Sequence, residues 1–252
     1  MKVFKDINHW QVFRKSLEHD VKVGFVPTMG ALHKGHLSLI RHSLEICDVT
    51  IASIYVNPTQ FNNPNDLKTY PDTLADDIIL LNEVGVDGLI LPTYEQIYPD
   101  NFNFVLSEKQ LSLKLCGAHR PGHFDGVLTV VLKLFNLVRP HSAFFGEKDF
   151  QQLQLIRSMV EALFLDIKVV GCPVVRESDG LAMSSRNLKL SSKSRQHAGQ
   201  LYQILKNSEN VQVAKEQLLD SGFQVEYVED LYNRRLAAAI LDNVRLIDNV
   251  EL

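Results

Sequence analysis

His33 and His36 stand three residues apart, just after an apolar run, Val23-Gly24-Phe25-Val26. Such a run suits a buried parallel strand. Pro27 ends it, and Gly30 and Gly35 let the backbone turn tightly and approach a ligand. Leu37, Leu39 and Ile40 then begin a helix, so i,i+3 spacing puts both imidazoles on one face of its first turn. A helix N-terminus offers unpaired N–H groups and partial positive charge, a setting for phosphate to which the imidazoles add donors. Far downstream, Met183-Ser184-Ser185-Arg186 places two hydroxyls beside a guanidinium fork suited to phosphate. Ser184 lacks the acid three residues on that a capping box needs. Lys148, within Gly146-Glu147-Lys148-Asp149 at a strand-to-helix junction, could neutralise another phosphate. Each feature alone also has a plain structural explanation, as a paired histidine, a capping serine or a solvated turn lysine. Their combination points to nucleotide phosphates in a cleft, although the chain has neither a Walker lysine loop nor GxGxxG after its first strand.

The elements that must position these residues follow from periodicity. Ile7, Trp10, Phe13 and Leu17 mark an opening helix capped by Asp6. The first strand covers 22–27 and the histidine helix 34–46. A second strand, 49–56, runs into the proline-punctuated loop Asn57 to Pro64, where turn chemistry explains Asn57 better than Gln60. A helix over 73–84 carries Asp76 and Asp77, most simply solvated or helix-terminal. A third strand follows at 87–91, then an irregular stretch, 94–106, with a short strand, and a short helix to Leu115 capped by Ser107. Cys116 to Gly126, with His119, Arg120 and His123, is a second candidate ligand loop. The helix 127–138 is apolar nearly all round and therefore buried. A strand at 141–145, a helix at 150–164 and a strand at 167–175 complete an alternation that predicts a doubly wound, Rossmann-like parallel α/β sheet over residues 1–175. The charged turn 176–180 opens a smaller α+β unit, residues 176–252, with helices at 192–206 and 211–221 and strands at 224–230, 238–241 and 244–248.

Hydrophobic content of 45% with 22% charged residues describes an ordinary soluble globular protein, and a net charge of −4 argues against a general nucleic-acid binder. No apolar run is long enough to span a membrane, and Met1-Lys2-Val3-Phe4-Lys5-Asp6 does not read as a signal peptide. Cys47, Cys116 and Cys172 lie in no metal or redox spacing, which predicts reduced thiols and a cytoplasmic protein.

The pair His33-Lys34-Gly35-His36 and Met183-Ser184-Ser185-Arg186 resembles the two signatures of the HIGH-motif nucleotidyltransferase superfamily, which includes the class I aminoacyl-tRNA synthetases. At closer range, Pro27 to His36, Asn57 to Phe61, Arg120 to Phe124, Phe145 to Gln152 and Ser184 to Asn187 together resemble the pantothenate synthetase (pantoate–β-alanine ligase) family. The resemblance implies a two-step reaction. Pantoate's carboxylate attacks the α-phosphorus of Mg²⁺-ATP to give pantoyl adenylate and pyrophosphate, and the amine of β-alanine then displaces AMP. By the same resemblance His36 is the catalytic histidine, and His33, Lys148, Ser184, Ser185 and Arg186 act with it on the phosphates. Met29, Gly30, Ala31, Leu32, Lys34 and Gly35 line the ATP site; Gly146, Glu147, Asp149, Val175 and Met183 hold the nucleotide, Asp149 accepting from ribose and the Val175 backbone meeting adenine. Gln60 binds pantoate and β-alanine, Gln152 binds pantoate, and Val127, Val130, Val131 and Phe61 supply an apolar wall. Asp76 matches a Mg²⁺ position, although phosphate oxygens and water should provide most of the coordination. A homodimer is also implied. Two features depart from the family pattern: Met183 stands where many members carry leucine, and the chain is short between Asn207 and Val225. Three competing readings are a zinc hydrolase recruiting His119 or His123 beside His33 and His36, a non-catalytic nucleotide sensor, and another HIGH-motif nucleotidyltransferase with a different small substrate. None explains all of the motifs.

Overall fold

Short apolar segments alternate with amphipathic ones, and in the computed structural model, which describes residues 1–252, they build a six-stranded parallel sheet flanked by helices. In chain order the elements are β1 (Lys2–Phe4), α1 (Ile7–Ser16), β2 (Val23–Thr28), α2 (Lys34–Ile46), β3 (Val49–Ile54), α3 (Pro64–Lys68), α4 (Leu74–Val84), β4 (Gly88–Ile90), α5 (Tyr94–Ile97), α6 (Cys116–His119), α7 (His123–Val138), β5 (Ser142–Gly146), α8 (Phe150–Ala162) and β6 (Lys168–Cys172). The spatial order is β1-β4-β3-β2-β5-β6. From β2 the chain adds strands on one side, then returns to place β5 and β6 on the other. The switch therefore lies between β2 and β5, where open α/β sheets bind ligands beyond their carboxyl ends. At that point β2 delivers the histidine loop and β5 delivers Gly146 to Asp149.

Val23, Phe25, Val26, Ile51 and Ala52 are wholly buried, which is why β2 and β3 show no apolar–polar alternation. Trp10, Phe25, Phe135 and Leu153 belong to the core on one face of the sheet, and Val26, Ile40, Leu81 and Phe144 to that on the other. Each large side chain so buried contributes about 1.5–3 kcal/mol. No helix is long and apolar enough to cross a membrane.

The remaining chain forms α9 (Ser192–Ala198), α10 (Gln200–Asn207), α11 (Val211–Asp220) and an antiparallel sheet, β7 (Gln224–Leu231), β8 (Arg234–Leu241) and β9 (Val244–Glu251), in the order β7-β8-β9. It has its own core of Leu201, Leu205, Leu218, Phe223, Ala237 and Ala239. Arg176 ties the connection to β9: its guanidinium donates to both Asp248 carboxylate oxygens (2.6 and 3.0 Å) and stacks 3.9 Å from the Tyr202 ring centre.

Several sequence expectations need correction. β1 is too short to register as a periodic pattern, yet it pairs with β4 (Val3 opposite Leu89) and raises the expected five strands to six. The stretch 94–106 holds a short helix capped by Thr93 and no strand. Ser107 caps nothing; the Glu108 carboxylate instead accepts from Gln110 N and Ser112 N, and only a 3₁₀ turn, Leu111–Leu113, follows. The predicted helix 192–206 is two helices meeting at Gly199, where a Cβ would lie 2.9 Å from the Asp179 carbonyl oxygen. β8 begins at Arg234 rather than 238, because Asp230 neutralises the buried Arg235 (2.9 and 3.0 Å) and lets a charged pair enter a strand.

Candidate active site

A cavity of about 230 Å³ opens at the carboxyl ends of β2, β3, β5 and β6. It brings together His33, His36, Gln60, Lys148, Asp149, Gln152, Val175, Met183, Ser184, Ser185 and Arg186, drawn from across the sequence. Met29, Gly35 and Gly146 also line it.

The histidines define the start of α2 through a reciprocal arrangement. His33 is the N-cap, and its Nδ1 accepts from Gly35 N at 3.1 Å; His36 Nδ1 accepts from His33 N at 3.4 Å. A nitrogen that accepts from a backbone N–H cannot carry the proton of a neutral imidazole, so in both rings Nε2 bears it. Burial lowers the pKa of His33 to about 4, with Lys148 adding to the effect, and that of His36 to about 3, reinforced by His33. Both rings, 4.1 Å apart, are neutral donors at neutral pH. Gly35 makes this stack possible, since a Cβ there would lie 2.8 Å from His33 Cε1.

Gly30, Ala31, Leu32 and Lys34 of the same loop do not line the cavity; Lys34 is exposed. The loop is held from α4. Asp77, 2% exposed, accepts from Ala31 N (2.9 Å), Leu32 N (2.8 Å) and Thr73 Oγ1 (3.1 Å). Ala31 sits at φ +50°, a left-handed conformation this carboxylate sustains. Asp77 is thus a buried anchor, not a solvated helix residue. Its neighbour Asp76 is exposed and off the cavity, as the turn of about 100° between successive helical residues requires. No three His, Cys, Asp or Glu side chains converge as a metal site. His123 binds the Gln60 carbonyl and His119 stacks on Tyr227, away from the helix histidines.

On the β3 side, Asn57 is 1% exposed and orients Gln60. Asn57 Oδ1 accepts from the Tyr98 hydroxyl (2.9 Å) and Thr59 Oγ1 (3.1 Å), so its amide nitrogen donates to Gln60 Oε1 (3.0 Å) and the Gly126 carbonyl (3.2 Å). Gln60 Nε2 is left as a donor, 3.3 Å from Met29 Sδ. The wall beyond is Val127, Val130, Val131 and Leu134, all from α7. Phe61 does not line it; its ring meets Tyr70 edge-on at 5.7 Å.

Lys148 Nζ lies 3.6 Å from Asp149 Oδ2. Asp149 keeps about half of its side chain exposed at the mouth of the cavity; the partial desolvation there raises its pKa, but Lys148 and Arg186 outweigh it and hold the carboxyl below its ordinary range. Glu147 turns away to Arg234 (2.9 Å). The Val175 carbonyl accepts from Met183 N (2.9 Å), and Ser184 caps a 3₁₀ turn by accepting from Arg186 N (3.2 Å). Arg186 reaches Asp66 of α3 at 3.0 Å, and Lys189 joins the same carboxylate at 3.0 Å. Sequence reasoning did not pick out Asp77, Tyr70 or the positioning role of Asn57. Only Asn57 carried a signal, as a polar residue closing a buried strand.

The chain matches known proteins over nearly its whole length. The family model described as pantoate-beta-alanine ligase matches residues 2–251. A pantothenate synthetase of Bdellovibrio bacteriovorus is 50% identical over 250 residues, covering 99% of both chains, and one from Legionella pneumophila is 47% identical with 99% of both covered. The crystal structure of a Francisella tularensis pantoate-beta-alanine ligase, complexed with beta-gamma ATP and beta-alanine, superposes with a TM-score of 0.95 at 42% identity, covering 100% of this chain and 97% of that one. With that match and with its helix histidines, lysine turn and serine–arginine loop gathered at one switch point, this chain belongs to the pantoate-beta-alanine ligase family.

Proposed function

We propose that this chain condenses pantoate with β-alanine, using ATP, to give pantothenate, AMP and pyrophosphate through a bound pantoyl adenylate. The observation that carries the reading is the single cavity joining phosphate-binding groups to a carboxamide pair, Gln60 and Gln152, over an apolar wall. Family membership supports it.

In the first step pantoate's carboxylate oxygen bonds to the α-phosphorus and the bond to the β-phosphate oxygen breaks. Charge moves onto pyrophosphate, so preorganised donors do most of the work. His33 and His36 donate from neutral Nε2–H groups, which makes His36 a hydrogen-bond donor rather than a cationic acid. Lys148 and Arg186 stabilise the departing charge, and Ser184 and Ser185 close over the phosphates. Gln60 Nε2 and Gln152 orient pantoate, with its methyls against Val127, Val130 and Val131. Asp149 accepts from ribose, and Val175 meets the adenine. In the second step the amine of β-alanine, having lost a proton, attacks the acyl carbon and AMP leaves. ATP is taken as its Mg²⁺ complex, which neutralises phosphate charge. Asp149 is the one carboxylate lining the cavity and is assigned to ribose, so phosphate oxygens and water would hold the metal. The free cysteines suit a cytoplasmic location, and residues 176–252 act as a cover on the domain 1–175 in a homodimer.

Isotope exchange between pyrophosphate and ATP tests the reading, with Mg²⁺ and pantoate but without β-alanine. Exchange that depends on pantoate is expected. Its absence in folded, ATP-binding protein would refute adenylation of this acid.

A further inference from the structure

A second, smaller cavity of about 40 Å³ adjoins the first and shares Lys148, Asp149, Gln152 and Arg186 with it. At about 10–15 Å³ for one water, it has room for a group the size of a carboxylate. Arg120 and Arg245 line it from opposite units of the chain. Of the cations around the two cavities, Arg245 pairs with Glu226 (2.7 Å), Arg186 with Asp66 (3.0 Å) and Lys148 with Asp149 (3.6 Å). Arg120 forms no ion pair with any carboxylate.

Its position is nonetheless fixed. His123 Nδ1 donates to the Gln60 carbonyl (2.8 Å), which leaves His123 Nε2 as an acceptor for Arg120 Nη1 (3.0 Å). Arg120 Nη2 donates to the same carbonyl (3.3 Å). A guanidinium has five N–H donors, and protein atoms take only two here. Partial burial, with Arg186 and Arg245 close by, lowers the Arg120 pKa to about 10; Asp149 opposes that shift and lines the same cavity with Asp248, but Asp149 is paired with Lys148 and Asp248 with Arg176, so neither forms an ion pair with Arg120.

The proposed reaction brings in exactly one substrate that carries a carboxylate through to the product unreacted. From this we infer that Arg120 receives the carboxylate of the β-amino acid in the second cavity, aiming its amine at the acyl carbon beside Gln60 and Gln152. This rests on the proposed function and adds a residue that selects the nucleophile. Holding the carboxylate there puts the amine two methylenes away, toward the shared wall. An amine without the carboxylate lacks that hold.

The test compares the wild type, Arg120→Gln and Arg120→Lys. Pantoate-dependent exchange in the wild type comes first, since its failure would sink the proposed function rather than this inference. The product-forming reaction is then run with β-alanine and with n-propylamine, which lacks the carboxylate. In the wild type β-alanine is expected to be preferred at least a hundredfold in kcat/KM. Arg120→Gln should raise the KM for β-alanine at least tenfold and collapse that preference, with a much smaller change in the KM for pantoate in exchange; Arg120→Lys should restore part of the preference. A preference unchanged in Arg120→Gln overturns the inference, as does an equal loss of pantoate and β-alanine binding, which would make Arg120 only a support for the Gln60 loop. If Arg120→Gln does not fold, wild-type protein using propylamine as well as β-alanine overturns it instead.

Discussion

Replacing Asp77 by alanine should damage ATP binding from beneath the site, without removing any group that lines the cavity. The carboxylate accepts two backbone N–H groups, of Ala31 and Leu32, at 2.9 and 2.8 Å. Hydrogen bonds to a charged group contribute about 1.5–3 kcal/mol each, and the two share one acceptor group, so their joint loss is set at about 3–4 kcal/mol. The left-handed Ala31 adds about 1–2 kcal/mol of preference for relaxing once its anchor is gone. The loop then rearranges, and His33 follows because it caps the helix two residues on. For a chain of this size, about 3 kcal/mol lowers Tm by roughly 6–12 °C. Isothermal titration with a non-hydrolysable ATP analogue, at a temperature where the variant remains folded, should show at least tenfold weaker binding. Asp77→Asn keeps the shape but offers one carbonyl oxygen and an NH₂ that opposes the second backbone donor, so it should fall between. A stability loss with unchanged ATP affinity would show that α2 holds the histidines alone; no loss of either would show that the carboxylate does not anchor the loop.

The remaining predictions concern other supports. Gly126→Ala places a methyl 2.6 Å from the Thr59 carbonyl oxygen, so the Gln60 loop must retreat; steady-state kinetics should show a KM for pantoate raised about tenfold with that for ATP little changed. The imidazole resonances of His33 and His36 should not titrate between about pH 5 and 8 in the free protein. Their folded-state values lie below the unfolded 6.5, so the unfolded chain binds more protons from about pH 6.5 down to about pH 3. Stability should fall with pH through that window, and a Tm that rises on acidification would contradict the assignment. Asp248→Asn leaves Arg176 partly buried without its counter-charge and should cost about 3 kcal/mol by denaturant unfolding. Hydrogen exchange should be faster at Ser185–Lys189 and in α3 than in β9; protection of all three alike would show that the serine–arginine turn is not separately mobile.

The reading from sequence succeeded where chemistry and periodicity fall within a few residues. The strand-turn-helix around His33 and His36 was legible because a buried strand, a proline, two glycines and an amphipathic start are contiguous. α2 accordingly runs from Lys34 to Ile46 as expected. The phosphate groups Lys148 and Arg186 could be read together with the histidines from their chemistry, but the place of Gln152 beside them was legible only through the family resemblance, since nothing local says which strands end side by side. Asp77 was read as solvated or helix-terminal; it does lie in the first turn of α4, but nothing local in the sequence points to the N–H groups up to 46 residues away that it anchors. Asp76 was carried over from the family resemblance, and one step of helix rotation removes it from the cavity. The strand β8 was cut short because Arg234 and Arg235 look like loop residues until their partners, Glu147, Glu251 and Asp230, are known.

Those partners also bear on how the C-terminal unit can move. A cover swinging as one body must break the bonds of Asn249 Nδ2 to the carbonyls of Glu147 (2.8 Å) and Lys148 (3.2 Å), the Arg234–Glu147 pair, and the Cys116–Tyr227 contact (3.1 Å). The neutral bonds alone are worth about 0.5–1.5 kcal/mol each. Asn249 is 2% exposed, so its donors would also need new partners. Two of these bonds hold the backbone on either side of the Lys148 side chain, and losing them would loosen the cation proposed to meet the departing pyrophosphate. The turn Ser185–Lys189 has a weaker tie, since its ion pairs to Asp66 are part-exposed and each is worth about 1 kcal/mol or less. Those pairs can be exchanged for phosphate at small cost. If Arg186 meets the nucleotide as proposed, moving this turn and α3 to admit ATP, while β9 stays seated on Glu147 and Lys148, keeps the lysine in place and frees the guanidinium.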